Sequence, residues 1–72
     1  MPKKTPVTDE AIGALVREYR KKRGLSQPEL GAALGISEQM VQRYETGGAS
    51  LSVLKLVTIA LTLKCKTTDL IP

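Results

Sequence analysis

The sequence predicts an all-α fold, a compact five-helix bundle, from three observations. Apolar residues recur at three- and four-residue spacing along most of the chain. Ser or Thr stands ahead of the apolar stretches, and Gly stands behind several of them. The run SQPELGAALGISEQMVQRYETG, from Ser26 to Gly47, reads as two short helices joined by a tight glycine turn.

Residues 1–7 (MPKKTPV) hold two prolines and two lysines, Lys3 and Lys4, and are expected to form an extended basic arm. Residues 8–72 are expected to form the single folded domain. Thr8 is a suitable N-cap, and Asp9 and Glu10 suit the positive end of the helix dipole. The first helix is predicted to run to about Arg23, burying Ile12, Val16 and Tyr19, and to stop at Gly24.

The second helix is predicted over 27–34. Ser26 and Glu29 have the spacing of a capping box, in which each side chain serves the other's backbone N–H. Pro28 falls in the first turn, where its missing N–H costs nothing. Leu30, Ala33 and Leu34 form the apolar face, and Gly35 supplies the left-handed turn that follows. Ile36 plugs that turn. Ser37 then caps a third helix over 38–46. Val41 and Tyr44 face inward from it, leaving Glu38, Gln39, Gln42, Arg43 and Thr46 outward. Gly47 and Gly48 end it. The loop GGAS leads to Ser50, the expected N-cap of a fourth helix over about 51–63 that buries Val53, Leu56, Ile59, Ala60 and Leu63. A short last helix near 67–71 would pin Leu70 onto the core.

With 72 residues, one small domain with a modest core is expected, without room for a separate effector-binding or catalytic unit. The hydrophobic share of 42% and the charged share of 25% suit a folded chain rather than a disordered one. No apolar run approaches the roughly 20 residues of a membrane span. The start MPKKTPVTDE lacks the apolar segment of a secretory signal. The single cysteine, Cys65, has no internal partner, and a cytoplasmic setting is expected. With no histidine in the chain to activate it, Cys65 reads as a small core residue. No cysteine cluster, phosphate loop or paired-carboxylate site is present in the sequence. The chain is therefore expected to be no enzyme, with no cofactor, metal or small-molecule ligand.

The net charge is +4 and the pI near 9.5. The excess lies early, in Lys3, Lys4, Arg17, Arg20, Lys21, Lys22 and Arg23, and the balance after Gly24 is near zero. Such a segment suits phosphate contact. Lys and Arg near a helix C-terminus also complement its dipole, and for Lys21 to Arg23 both readings stand.

Residue types at fixed offsets narrow the reading. With Gln27 as position one, a small residue is fifth (Gly31), glycine ninth (Gly35) and a β-branched residue fifteenth (Val41). The segments LSQPELGAALGIS and VQRYETG resemble the LSQ-x-x-LA-x-x-LG-[IV]-S and [IV]-x-x-[WYL]-E-x-G runs of the Cro/repressor (XRE-type, lambda repressor-like) helix-turn-helix domains. The match is strong over about twenty residues and weaker over the rest.

The resemblance implies a sequence-specific regulator that binds a double-stranded DNA operator and reads it through helix 3 in the major groove. Glu38, Gln39, Gln42 and Arg43 become the base readers. The chemistry suits this: Gln pairs adenine, Arg pairs guanine, and Glu accepts from cytosine. Gln27, Ser37, Thr46, Gly47 and Gly48 become phosphate or backbone contacts, with Lys3 and Lys4 on an arm like that of the lambda repressor. Arg20 is expected to form a structural ion pair with Glu45.

Three departures stand out. Gly31 replaces the family's usual alanine, which predicts that Gly31→Ala stabilises the fold. Leu51 replaces a usual proline. Leu54 and Leu61, one heptad apart, are expected to project outward as a possible homodimer surface. The alternative function is a protein-interaction module on the same scaffold, such as an antitoxin or adaptor, holding its partner on the Leu54/Leu61 stripe. The ending TTDLIP is compatible with a complete small regulator and with an excised DNA-binding domain.

Overall fold

A computed structural model describes residues 6–72; Lys3 and Lys4 of the expected arm lie outside the described residues. Four α-helices follow one another, α1 (Asp9–Lys22), α2 (Gln27–Leu34), α3 (Glu38–Thr46) and α4 (Val53–Thr62), and a 3₁₀ turn (Thr67–Leu70) takes the place of the fifth helix. No strand occurs among the described residues.

Local chemistry accounts for the helix ends. Thr8 Oγ1 accepts the Ala11 N–H at 3.0 Å. Both halves of the Ser26/Glu29 box are made, at 3.1 Å to Ser26 Oγ and 2.9 Å to Glu29 Oε1. The bond from the Ser26 N–H favours the ionised Glu29 carboxylate and lowers its pKa from the ordinary 4.5. Ser37 Oγ accepts the Met40 N–H at 3.1 Å. Gly35 lies at φ 71°, which a side chain would resist, and the Ile36 N–H closes on the Gly31 carbonyl at 2.9 Å.

The start of α4 differs from expectation. Ser52, not Ser50, is its N-cap, accepting the Lys55 N–H at 3.1 Å. Either serine satisfies the chemistry of a cap. Packing chooses between them: half-buried Leu51 lies against the core from the loop, so the helix begins after it. Ser50 Oγ instead donates to Asp9 Oδ2 at 2.7 Å, tying the loop to the first turn of α1. Val53 is not buried as predicted. It is 76% exposed, because nothing covers the first turn of α4 on that side.

The core gathers Val16 from α1, Leu30 from α2, Val41 and Tyr44 from α3, Leu56, Ile59 and Ala60 from α4, then Leu63 and Leu70. Ile12, Tyr19 and Cys65 are half-buried at its edge. Burial raises the Cys65 thiol pKa from its ordinary 9.0. On α2 the buried partner of Leu30 is Gly31; Ala33 points to solvent.

Two close backbone approaches depend on missing side chains. Gly13 of α1 sits against the backbone of α3, where a Cβ would overlap the Tyr44 carbonyl oxygen and lie 2.8 Å from that of Glu45. At Gly31 a Cβ would stand 2.7 Å from the Ile36 carbonyl oxygen. That distance overturns the expectation that Gly31→Ala stabilises, because the fixed backbone of the turn blocks the added methyl.

Candidate nucleic-acid interface

Helix α3 is laid across α1 and α2, with Val41, Tyr44 and Glu45 buried beneath it. Its other face is open. Glu38, Gln39, Gln42, Arg43 and Thr46 are all exposed there. Helix α4 packs on α2 and on the 3₁₀ turn, away from this face. A surface that presents two glutamines, an arginine and a carboxylate from one short helix has donors and acceptors for base edges.

Not every outward group is unengaged. Arg43 Nη2 donates to the Gly48 carbonyl at 3.0 Å, folding the guanidinium back on the end of its own helix. Thr46 Oγ1 donates to the Gln42 carbonyl at 2.9 Å. Glu38, Gln39 and Gln42 make no side-chain hydrogen bond among the described residues. Ser37 spends its oxygen lone pair on the cap, yet its hydroxyl proton stays available to a phosphate.

Below the open face lies a buried polar knot. Arg20 Nε donates to Glu45 Oε2 at 2.6 Å and Arg20 Nη2 to Glu45 Oε1 at 3.1 Å, a bidentate pair. Arg20 Nη1 takes the Leu25 carbonyl at 2.8 Å. The two residues are only 7% and 5% exposed, and no buried side-chain donor or acceptor among the described residues lacks a partner. Gln27 Nε2 joins the knot by donating to Glu45 Oε1 at 3.1 Å. That bond leaves the Gln27 side-chain oxygen and second amide hydrogen without a partner among the described residues.

The backbone at the start of α2 offers fewer donors than a bare helix end. Pro28 has no N–H, and the Glu29 N–H is spent on Ser26. The start of α2 thus leaves the Gln27 N–H and part of its side chain as the donors open to an anion. Gly47, at φ 81°, and exposed Gly48 close α3 on the opposite side, with the Gly48 N–H bonded to the Arg43 carbonyl at 2.8 Å.

Sequence reasoning counted Arg17 in the basic segment but did not single it out as a site residue. A cleft of about 330 Å³ between α1, α2 and α3 is lined by Arg17, Gln27, Gln42, Glu45 and Thr46. The signal was present: Arg17 lies one turn before Arg20, whose expected partner ends α3. Arg23, part of the basic run, instead donates to the two carbonyls that follow α4, Leu63 at 2.6 Å and Lys64 at 3.0 Å. It ties the end of α1 to the segment just after α4.

Leu54 and Leu61 are 81% and 74% exposed on α4, and Val53 and Val57 extend them into a longer apolar stripe. No group of side chains among the described residues has the makings of a metal site, and none of their helices is long and apolar enough to cross a membrane.

Comparison with known proteins gives a consistent picture. The family model described as Helix-turn-helix matches residues 16–70. The HTH-type transcriptional regulator y4mF of Sinorhizobium fredii is 35% identical over 96% of this chain and 87% of its own length. Another protein of that organism, the HTH-type transcriptional regulator y4wC, is 34% identical over 86% of this chain but only 43% of its own length. The chain thus spans less than half of some of the relatives that it matches. Among solved structures, the clp gene regulator ClgR from C. glutamicum superposes with a TM-score of 0.84 at 27% identity, over 92% of this chain and 86% of that one.

Proposed function

This chain belongs to the helix-turn-helix family, in its XRE-type branch, and from that premise we propose that it is a sequence-specific transcriptional regulator that reads a double-stranded DNA operator through α3. One observation carries the reading: the base-reading residue types Glu38, Gln39, Gln42 and Arg43 lie together on the open face of a helix whose other face is locked into the core. Gln39 and Gln42 suit adenine, Arg43 suits guanine once it leaves Gly48, and Glu38 suits the amino group of cytosine. Gln27, Ser37, Thr46, Gly47 and Gly48 flank the reading face and hold the backbone in register. Lys3 and Lys4 would add phosphate contacts from the arm.

The operator-bound form is a homodimer. The α4 stripe of Val53, Leu54, Val57 and Leu61 supports this, because it faces away from α3 and leaves the reading face open. A second copy on the same stripe, related by a two-fold axis, would set two recognition helices about 34 Å apart on an inverted repeat. Occupancy of the operator is itself the regulatory act. No cofactor enters this mechanism, and the names of the relatives favour a regulator over an enzyme.

Selection from a randomised duplex pool at about 150 mM salt, followed by sequencing of the bound fraction, tests the proposal. Enrichment of an inverted repeat is expected. Binding without enrichment would leave electrostatic attraction alone and turn attention to a protein partner on the α4 stripe, the use expected of an antitoxin or adaptor.

A further inference from the structure

We infer that Arg17 and Lys21 form a phosphate track on α1 that takes the DNA backbone beside the groove entered by α3; this rests on the DNA-binding reading above. The argument begins with which cations of α1 and its end are already in use. Arg20 is bound to Glu45, Lys22 pairs with Glu18 at 3.6 Å and lies over the Tyr19 ring, and Arg23 holds the end of α4. Arg17 and Lys21 are exposed and, among the described residues, make no side-chain hydrogen bond or ion pair. They are the two cations of this run left over by the fold.

They also share a face. Four residues apart on α1, they project side by side. Both line a cleft of about 400 Å³ with Ala14, Glu18 and Glu45. Arg17 further lines the adjoining cleft with Gln27, Gln42 and Thr46. Arg17 therefore bridges the basic face of α1 and the candidate reading face of α3.

The carboxylates nearby do not cancel the track. Glu45 is neutralised by the bidentate Arg20 and further shielded by Gln27. Glu18 is turned to Lys22. What remains is two unshared positive charges with polar neighbours at one end, a surface suited to a chain of phosphodiesters.

Such contacts position the protein without reading sequence, so their loss weakens binding to every duplex alike. The test compares wild type, Arg17→Gln, Lys21→Gln, the double variant and Arg17→Lys on a duplex of about 30 base pairs, in random and in selected sequence, between about 50 and 200 mM salt. Lys66→Gln, on the 3₁₀ turn outside both clefts, controls for net charge. Each Gln variant is expected to lower the slope of log K against log[salt] by about 0.9, and affinity by about eightfold at ~0.1 M salt, on both duplexes. Arg17→Lys should keep the wild-type slope, and Lys66→Gln should leave it unchanged. A double variant with the wild-type slope, or a Lys66→Gln loss equal to that of Arg17→Gln, overturns the track while leaving DNA binding intact. Wild type that binds neither duplex overturns the DNA reading and the track together.

Discussion

Gln27 and Glu45, eighteen residues apart, are joined by a 3.1 Å hydrogen bond that ties the first residue of α2 to the end of α3. The same carboxylate oxygen receives Arg20 Nη2. Helices α1, α2 and α3 thus meet at one buried anion, and the position of Gln27 beside the open face of α3 is set from below rather than by the helix start alone. The consequences are open to direct test.

Removing Arg20 would leave Glu45 buried and uncompensated. Arg20→Ala is expected to cost about 3–5 kcal/mol, a large share of the stability of a domain this size, and to weaken DNA binding only through unfolding. Denaturant titration with a binding assay on the folded fraction checks both parts. An unchanged midpoint would mean that the pair contributes nothing.

Gly31→Ala sets two effects against each other. Helix propensity favours alanine by roughly 1 kcal/mol. The Ile36 carbonyl at 2.7 Å from the added carbon opposes it, and overpacking costs about 1–3 kcal/mol. A net loss of stability is expected, read as a lower melting temperature. Gly13→Ala should be worse, since its added carbon would meet the backbone of two residues of α3.

Gln42→Ala should separate reading from holding. Discrimination between a selected operator and a random duplex is expected to fall by about 1–3 kcal/mol, with random-duplex affinity nearly unchanged. Competition binding measures the ratio. Equal losses on both duplexes would assign Gln42 to the backbone instead.

Leu54→Asp combined with Leu61→Asp changes two side chains that the fold does not use. The melting temperature of the monomer is expected to hold. Self-association by sedimentation should be lost, and affinity for an inverted repeat should drop toward that for a half-site. A wild-type protein that is monomeric at high concentration, with and without DNA, would remove the dimer from the mechanism.

The helices themselves were legible because their signals are short-range. The Ser26/Glu29 box, the caps at Thr8 and Ser37, the turn at Gly35 and the inward pair Val41/Tyr44 each involve residues within four positions of one another. Hydrogen-bonding chemistry and the 3.6-residue period decide such features before any tertiary contact forms. The same pattern carried the family resemblance, since the helix-turn-helix is itself a local unit.

What the sequence by itself determined was therefore the order of elements, the identity of the open face on α3 and the chemical types displayed there. The tertiary structure alone decided which of two capping serines starts α4, that Val53 is bare, that Gly31 has no room for a methyl, and that Arg17 rather than Arg23 stands beside the open face of α3. Two of these turn on groups brought together from distant parts of the chain: Ser50 meets Asp9 and Arg23 meets Leu63 across some forty residues. Packing at that range depends on how whole helices cross, and no local propensity encodes the angle or distance of a crossing.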